Sequence, residues 1–194
     1  MSFSAAAYYD ACWVEHQDVV TATLKACRAD FLQLVGAAEK SIRAGGKIVF
    51  FGNGGSAADA QHLATELTVR FSKNRAPIAA LALTTDTSAL TAIGNDYDFS
   101  MLFARQVEAL VKPQDLVIGI TTSGNSENVL KALAAAQRIG AVTAAFTGGS
   151  GGKLVGTPVL LLRVPSSTTA RIQEMHITLG QMLCGALEQT LGYV

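Results

Sequence analysis

Residues 47–67 read Lys-Ile-Val-Phe-Phe-Gly-Asn-Gly-Gly-Ser-Ala-Ala-Asp-Ala-Gln-His-Leu-Ala-Thr-Glu-Leu, and their order decides the fold. An apolar run at 47–51 enters a loop carrying Gly52, Gly54 and Gly55, and a helical pattern begins at Ser56. A strand, a glycine loop and a helix therefore follow one another within a few residues. Glycines bring backbone N–H groups close to a ligand, and the helix start supplies unpaired donors and the positive end of a dipole, so the loop is an anion site. His62 and Glu66 stand four residues apart, which places both side chains on one helical face, about 6 Å apart along the axis. A carboxylate and an imidazole one or two turns from a bound phosphate suit chemistry on a small phosphorylated molecule. The pair fits general acid/base work or two ligands of a divalent metal, and spacing alone leaves both open.

Working outward, apolar runs at 78–83, 115–120, 141–146 and 158–164 alternate with helical patterns at 56–69, 87–93, 98–111, 126–138 and 168–190. Five strands with intervening helices predict an α/β fold, a doubly wound five-stranded parallel sheet of the flavodoxin-like three-layer type. Upstream, residues 3–44 contain no proline and space Val19, Leu24, Cys27, Phe31 and Val35 as a helix does, predicting two helices broken near Ala29-Asp30. These helices form an extension that must bury an apolar stripe, and a partner subunit is a natural cover. The expected organisation is one domain over 1–194, with 1–44 packing an oligomer and 45–194 forming the core.

Composition narrows the function. The chain is 49% hydrophobic and 15% charged, and its 15 basic residues balance 15 acidic ones. That leaves no electrostatic footprint for nucleic acid or an anionic membrane. Cys12, Cys27 and Cys184 are widely spaced in apolar helical contexts and read as reduced, buried thiols. With no leader pattern at Met1 and no apolar run of spanning length, the cytoplasm is the expected location.

In doubly wound sheets ligands lie beyond the carboxyl ends of the strands, so the polar loops there carry the rest of the site. The third strand runs into Thr121-Thr122-Ser123-Gly124-Asn125-Ser126, where hydroxyls and backbone N–H groups can hold phosphate without lysine or arginine. Two such loops on one sheet edge are a far stronger signal than one. After the fourth strand, 147–152 (Thr-Gly-Gly-Ser-Gly-Gly) reads as a flexible connection. The last helix sets Gln173 and Gln181 within about 80° of each other, close enough to line one pocket.

The segments FGNGGSAADAQHLATEL, LALTTDTSALTAIGNDYDFS, GITTSGNSENVLKAL, FTGGSGGKL and RVPSSTTARIQEMH resemble, in order and spacing, the sugar isomerase (SIS) domain family, and within it the phosphoheptose isomerases. The resemblance implies a homotetramer that converts sedoheptulose 7-phosphate to D-glycero-D-manno-heptose 7-phosphate through an enediol, in heptose synthesis for lipopolysaccharide or capsule. It implies that Ser56, Thr121, Ser123 and Ser126 hold the phosphate, with Thr122 beside them. Asn53, Gly54, Gly55, Asn95, Asp96 and Gln173 would line the sugar site, and Glu66 would be the catalytic carboxylate assisted by His62. Some members hold zinc, and the matching ligands are His62, Glu66 and Gln173, with position 181 completing the set. No redox cofactor is implied.

One position departs from that pattern. Catalytic members usually carry a histidine two turns after the glutamine of RIQE, and here the residue is Gln181. An amide neither exchanges a proton near neutral pH nor matches imidazole as a zinc ligand. Proton transfer of this kind is worth about 10²–10⁴-fold. His176 is a poor substitute, since it projects about 140° away from Gln181. A substituted variant, an enzyme with altered acid/base chemistry, and a non-catalytic phosphosugar-binding SIS protein, such as one associating with the replication initiator, all fit the residue; the retained Glu66 favours catalysis.

Overall fold

The computed structural model describes residues 3–193. The chain opens with two helices, α1 (Ala5–Ala26) and α2 (Arg28–Arg43). The Ser4 hydroxyl accepts a hydrogen bond from the Ala7 N–H and so starts α1. The break falls at Cys27, two residues ahead of the expected Ala29-Asp30. Cys27 is buried with its thiol against the Arg163 carbonyl, which pins the turn there.

The core alternates as expected: β1 (Ile48–Gly52), α3 (Gly55–Thr68), β2 (Ala80–Ala82), α4 (Thr87–Asp96), α5 (Ala104–Leu110), β3 (Leu116–Ile120), α6 (Glu127–Ile139), β4 (Val142–Gly148), β5 (Leu160–Val164) and α7 (Thr169–Thr190). All strand pairs are parallel, in the order β2-β1-β3-β4-β5. The pleat of β1 divides the core. Ile48 and Phe50 face a cluster with Leu34 of α2, Leu63 and Leu67 of α3, and Leu183 of α7. Val49 and Phe51 face the other layer, with Val107 of α5 and Leu133 of α6, and the Phe51 ring stacks on Phe103 at 5.1 Å. Both faces of β1 are apolar because helices cover both, the condition for a parallel sheet.

Two expected elements are shorter than their patterns. The strand at 78–83 contracts to three residues, for β2 is an edge strand that follows Pro77. The helix at 98–111 divides into a 3₁₀ turn, Phe99–Met101, and α5, because the Asp98 carboxylate accepts the Ser100 N–H at 2.7 Å and begins a turn of its own.

The strand order places the site. β1 has β2 on one side and β3 on the other, and the helices that follow β1 and β3 pack on opposite layers. The chain therefore diverges at the carboxyl ends of β1 and β3 and leaves a crevice there. α7 then lies along α3, close enough that a Cβ at Gly180 would stand 2.4 Å from Leu63 Cδ1. Among the described residues no helix is long and apolar enough to cross a membrane.

That contact gives a prediction. Gly180→Ala gains about 1 kcal/mol of helix propensity, yet it drives a methyl into fully buried Leu63, an overpacking that costs about 1–3 kcal/mol. The expected net result is a lower urea midpoint at unchanged m. In a Leu63→Ala background, where the methyl has room, the same change raises the midpoint.

Candidate active site

The side of the crevice where the sequence leads one to expect a phosphate is built by the loops after β1 and β3. Ser56 is buried in the first turn of α3, and Thr121 is buried where β3 ends. Thr121 Oγ1 lies 3.1 Å from Ser126 Oγ. Ser126 is the N-cap residue of α6, but its side chain makes no cap bond, so its hydroxyl and the first N–H groups of α6 remain available to an anion. The Ser123 hydroxyl accepts the Asn125 N–H at 3.2 Å, and the half-buried Thr122 gives its carbonyl to the Gly148 N–H.

The Gly148–Gly152 segment, expected as a flexible connection, packs tightly against this loop. A Cβ on Gly124 (φ +66°) would stand 2.1 Å from the Gly151 carbonyl oxygen, and one on Gly152 would stand 2.5 Å from that of Ser123. The Lys153 N–H donates to both the Gly124 carbonyl and Asn125 Oδ1. The segment is a backbone buttress for the Thr121–Ser126 loop.

The acid/base side lies down α3. His62 Nε2 is 3.1 Å from Glu66 Oε1 and 3.2 Å from the Gln181 amide nitrogen, so α3 and α7 converge on one ring nitrogen. His62 is about half exposed, whereas Glu66 is mostly covered. Gln173 crosses the other end of the groove, its amide so near Gly55 that a Cβ there would lie 2.6 Å away. From Ser56, His62 is about 9 Å and Glu66 about 15 Å along the helix axis, with side chains tilted back toward the N-terminus. Asp59, one turn before His62, has its carboxyl raised by burial, with the His62 charge opposing the shift.

Not every expected residue joins this groove. Asn95 and Asp96 lie at the exposed end of α4 and bond to each other at 2.8 Å. Asp96 lines a separate cavity of about 330 Å³ with Tyr97 and Arg105. Gly54 stands exposed at the loop apex, φ +56°. Both amide atoms of Asn53 are engaged by Asn128, at 2.9 and 2.8 Å, so Asn53 braces the two loops across the crevice. Asn128 was not singled out in the sequence, although it lies two residues after TSGNS and is the one polar residue among those that α6 buries. His176 is fully buried, its Nε2 3.1 Å from the Thr147 carbonyl, and cannot replace a histidine at 181.

The residues fit zinc poorly. The donors that converge are one imidazole, one carboxylate and two neutral amides, and among the described residues no three His, Cys, Asp or Glu side chains gather as a metal site would require. The thiols stand apart: Cys27 and Cys184 are buried, and burial pushes them up to about 11 and about 12; Cys12 is only half-buried.

Comparisons with known proteins point to one family. The profile of the SIS domain matches residues 14–148. The phosphoheptose isomerase of Paramagnetospirillum magneticum is 56% identical over 183 residues, covering 94% of this chain and 95% of that one. The phosphoheptose isomerase of Aquifex aeolicus is 52% identical over 175 residues, 90% and 92% of the two chains. The solved phosphoheptose isomerase of Neisseria gonorrhoeae superposes with a TM-score of 0.91 at 41% identity, covering 96% of this chain and all of that one.

Two outcomes are expected. Gly124→Ala, which cannot keep its positive φ or the Gly151 contact, abolishes the thermal stabilisation that a sugar phosphate gives the wild type, read by melting with and without ligand. His176 is brought from 6.5 to about 4 by burial, with the Thr147 bond opposing. The unfolded chain therefore takes up a proton below about pH 6.5 that the folded chain refuses until about pH 4. Stability is fully present above that window and falls by roughly 3 kcal/mol as pH drops through it. His176→Gln flattens that part of the urea-midpoint profile.

Proposed function

This chain belongs to the phosphoheptose isomerases of the SIS domain family, and on that premise we propose how its own residues carry the reaction. It isomerises sedoheptulose 7-phosphate, yielding D-glycero-D-manno-heptose 7-phosphate for heptose biosynthesis. The observation that supports the residue assignment is the meeting of Glu66, His62 and Gln181 in a groove whose other end carries the Ser56, Thr121, Ser123 and Ser126 hydroxyls.

The hydroxyl loops hold the 7-phosphate, and that binding energy orients C1 and C2 of the open-chain ketose against α3. Glu66 takes a proton from C1, and the electron pair of the broken C1–H bond forms the C1–C2 double bond of a cis-enediol as the C2 carbonyl π pair moves to O2. His62 relays the hydroxyl proton from O1 to O2, and Glu66 returns its proton to C2 as C1 becomes the aldehyde. One hydrogen has moved between carbons and one between oxygens, so no redox cofactor is involved. Gln181 suits this relay: an amide turned by half a rotation accepts from an Nε2–H or donates to a bare Nε2, and so meets either tautomer of His62. Because the donor set fits zinc poorly, no step is assigned to a metal.

The active form is proposed to be a homotetramer. Tyr8, Tyr9, Trp13 and Val14 are exposed along α1, and an apolar groove of about 340 Å³ lined by Val20, Leu24, Phe31, Leu179 and Met182 lies beside them. A second copy of the chain is the assigned cover.

The test is direct assay of aldose formation from sedoheptulose 7-phosphate. Glu66→Gln is expected to lower kcat by about 10²–10⁴-fold while KM changes little. Gln181→His, which adds a titrating group to Glu66 and His62, keeps or raises kcat. A wild-type protein that binds the sugar phosphate without turnover, and stays inactive as Gln181→His, would instead be a binding protein.

A further inference from the structure

The last turn of α3 carries Glu66, yet the helix ends without a capping glycine or a basic residue in its last turn. Its terminal carbonyls need partners from elsewhere. Arg75, in the loop that follows, supplies them: Nη2 donates to the Glu66 carbonyl at 2.9 Å, and Nη1 to those of Leu67 at 2.8 Å and Ala76 at 3.0 Å. Its Nε donates to Glu188 Oε1 at 2.8 Å, near the end of α7. Both side chains of this ion pair are 1% exposed.

Glu188 is equally committed. Its two oxygens accept the Phe71 N–H at 3.0 Å, the Ser72 N–H at 3.2 Å and the Ser72 hydroxyl at 2.9 Å. Burial alone would raise this carboxyl, but these donors together with Arg75 hold it down at about 2, so it stays ionised across the working pH range. The Phe71 ring lies against Gly185 of α7, and the Tyr193 ring lies 5.9 Å from the guanidinium carbon.

We infer that Arg75 and Glu188 are positioning residues for the isomerisation, a clamp that fixes the end of α3 on α7 so that Glu66 faces His62, Gln181 and the reacting carbons. This inference rests on Glu66 as the base. The geometry favours a positional role because the guanidinium bonds the carbonyl of the catalytic residue itself, and because the carboxylate belongs to the helix that carries Gln173 and Gln181. A fully desolvated ion pair adds little net stability over an apolar pair of the same size, but it fixes one relative placement of the two helices. The phosphate loops lie at the opposite end of α3, beyond the clamp's reach.

Arg75→Lys, which keeps the charge but loses the fork, is the principal variant. It is expected to lower kcat by about 10–100-fold while KM for sedoheptulose 7-phosphate stays within about threefold. Combined with Glu66→Gln, it lowers activity no further, because the displaced group is already disabled. Ser72→Ala removes one donor and leaves the ion pair intact, so it folds even if Arg75→Lys does not, and its smaller fall in kcat also vanishes in the Glu66→Gln background. A full additional loss on top of Glu66→Gln, or a normal kcat per folded molecule with only a lower melting temperature, overturns the clamp. Unchanged activity in Glu66→Gln alone overturns the choice of base instead, which keeps the two failures distinct.

Discussion

The site depends on how closely α3 can approach α7. Gly180 has no side chain, and Leu63 fills the space that one would take. Only at that separation does Gln181 reach His62 at the same time as Gln173 reaches Gly55. The two helices run side by side in the same direction, eight residues of α7 matching seven of α3, so a single contact sets both ends of the groove. The proton-transfer groups of the proposed mechanism all stand on these two helices, and the proposed phosphate contacts add the loops that start α3 and α6.

The second constraint is the sheet. Reversal of strand order at β1 leaves a crevice that backbone amides and hydroxyls line, without lysine or arginine among the assigned phosphate contacts. Neutral donors at two helix starts suit the proposed phosphate site, which must hold the group and still release it. Packing that looks incidental supports the arrangement. The glycines of 148–152 hold the Thr121–Ser126 loop by backbone contact alone, and the paired amides of Asn53 and Asn128 tie the two loops together.

Much of this was legible in the sequence because it depends on local pattern. Alternating apolar runs and helical periods gave five strands and their helices to within a few residues, and GNGGS and TTSGNS marked the two loops that meet at the carboxyl ends of β1 and β3. What was not legible depends on contacts between distant residues. The burial of Cys27 moved the first helix break, and the Asp98 side chain split the helix expected at 98–111. Nothing in the run Gly-Gly-Ser-Gly-Gly distinguishes a loose connection from a packed buttress, and Arg75 and Glu188 are 113 residues apart with no shared motif. The role of Gln181 was readable only as a departure from a pattern; its meeting with His62 needed the fold.

The central claim is that this groove moves a proton between adjacent carbons using Glu66 and His62, with Gln181 where catalytic members usually carry a histidine. Sedoheptulose 7-phosphate incubated in deuterium oxide with protein stripped of metal by chelation, and followed by NMR, tests it most directly. The account predicts the aldose 7-phosphate as product, with deuterium at C2 in proportion to exchange of the Glu66-held proton with solvent during the enediol's lifetime. Absence of aldose from the stripped protein, with turnover restored by added zinc, would contradict it.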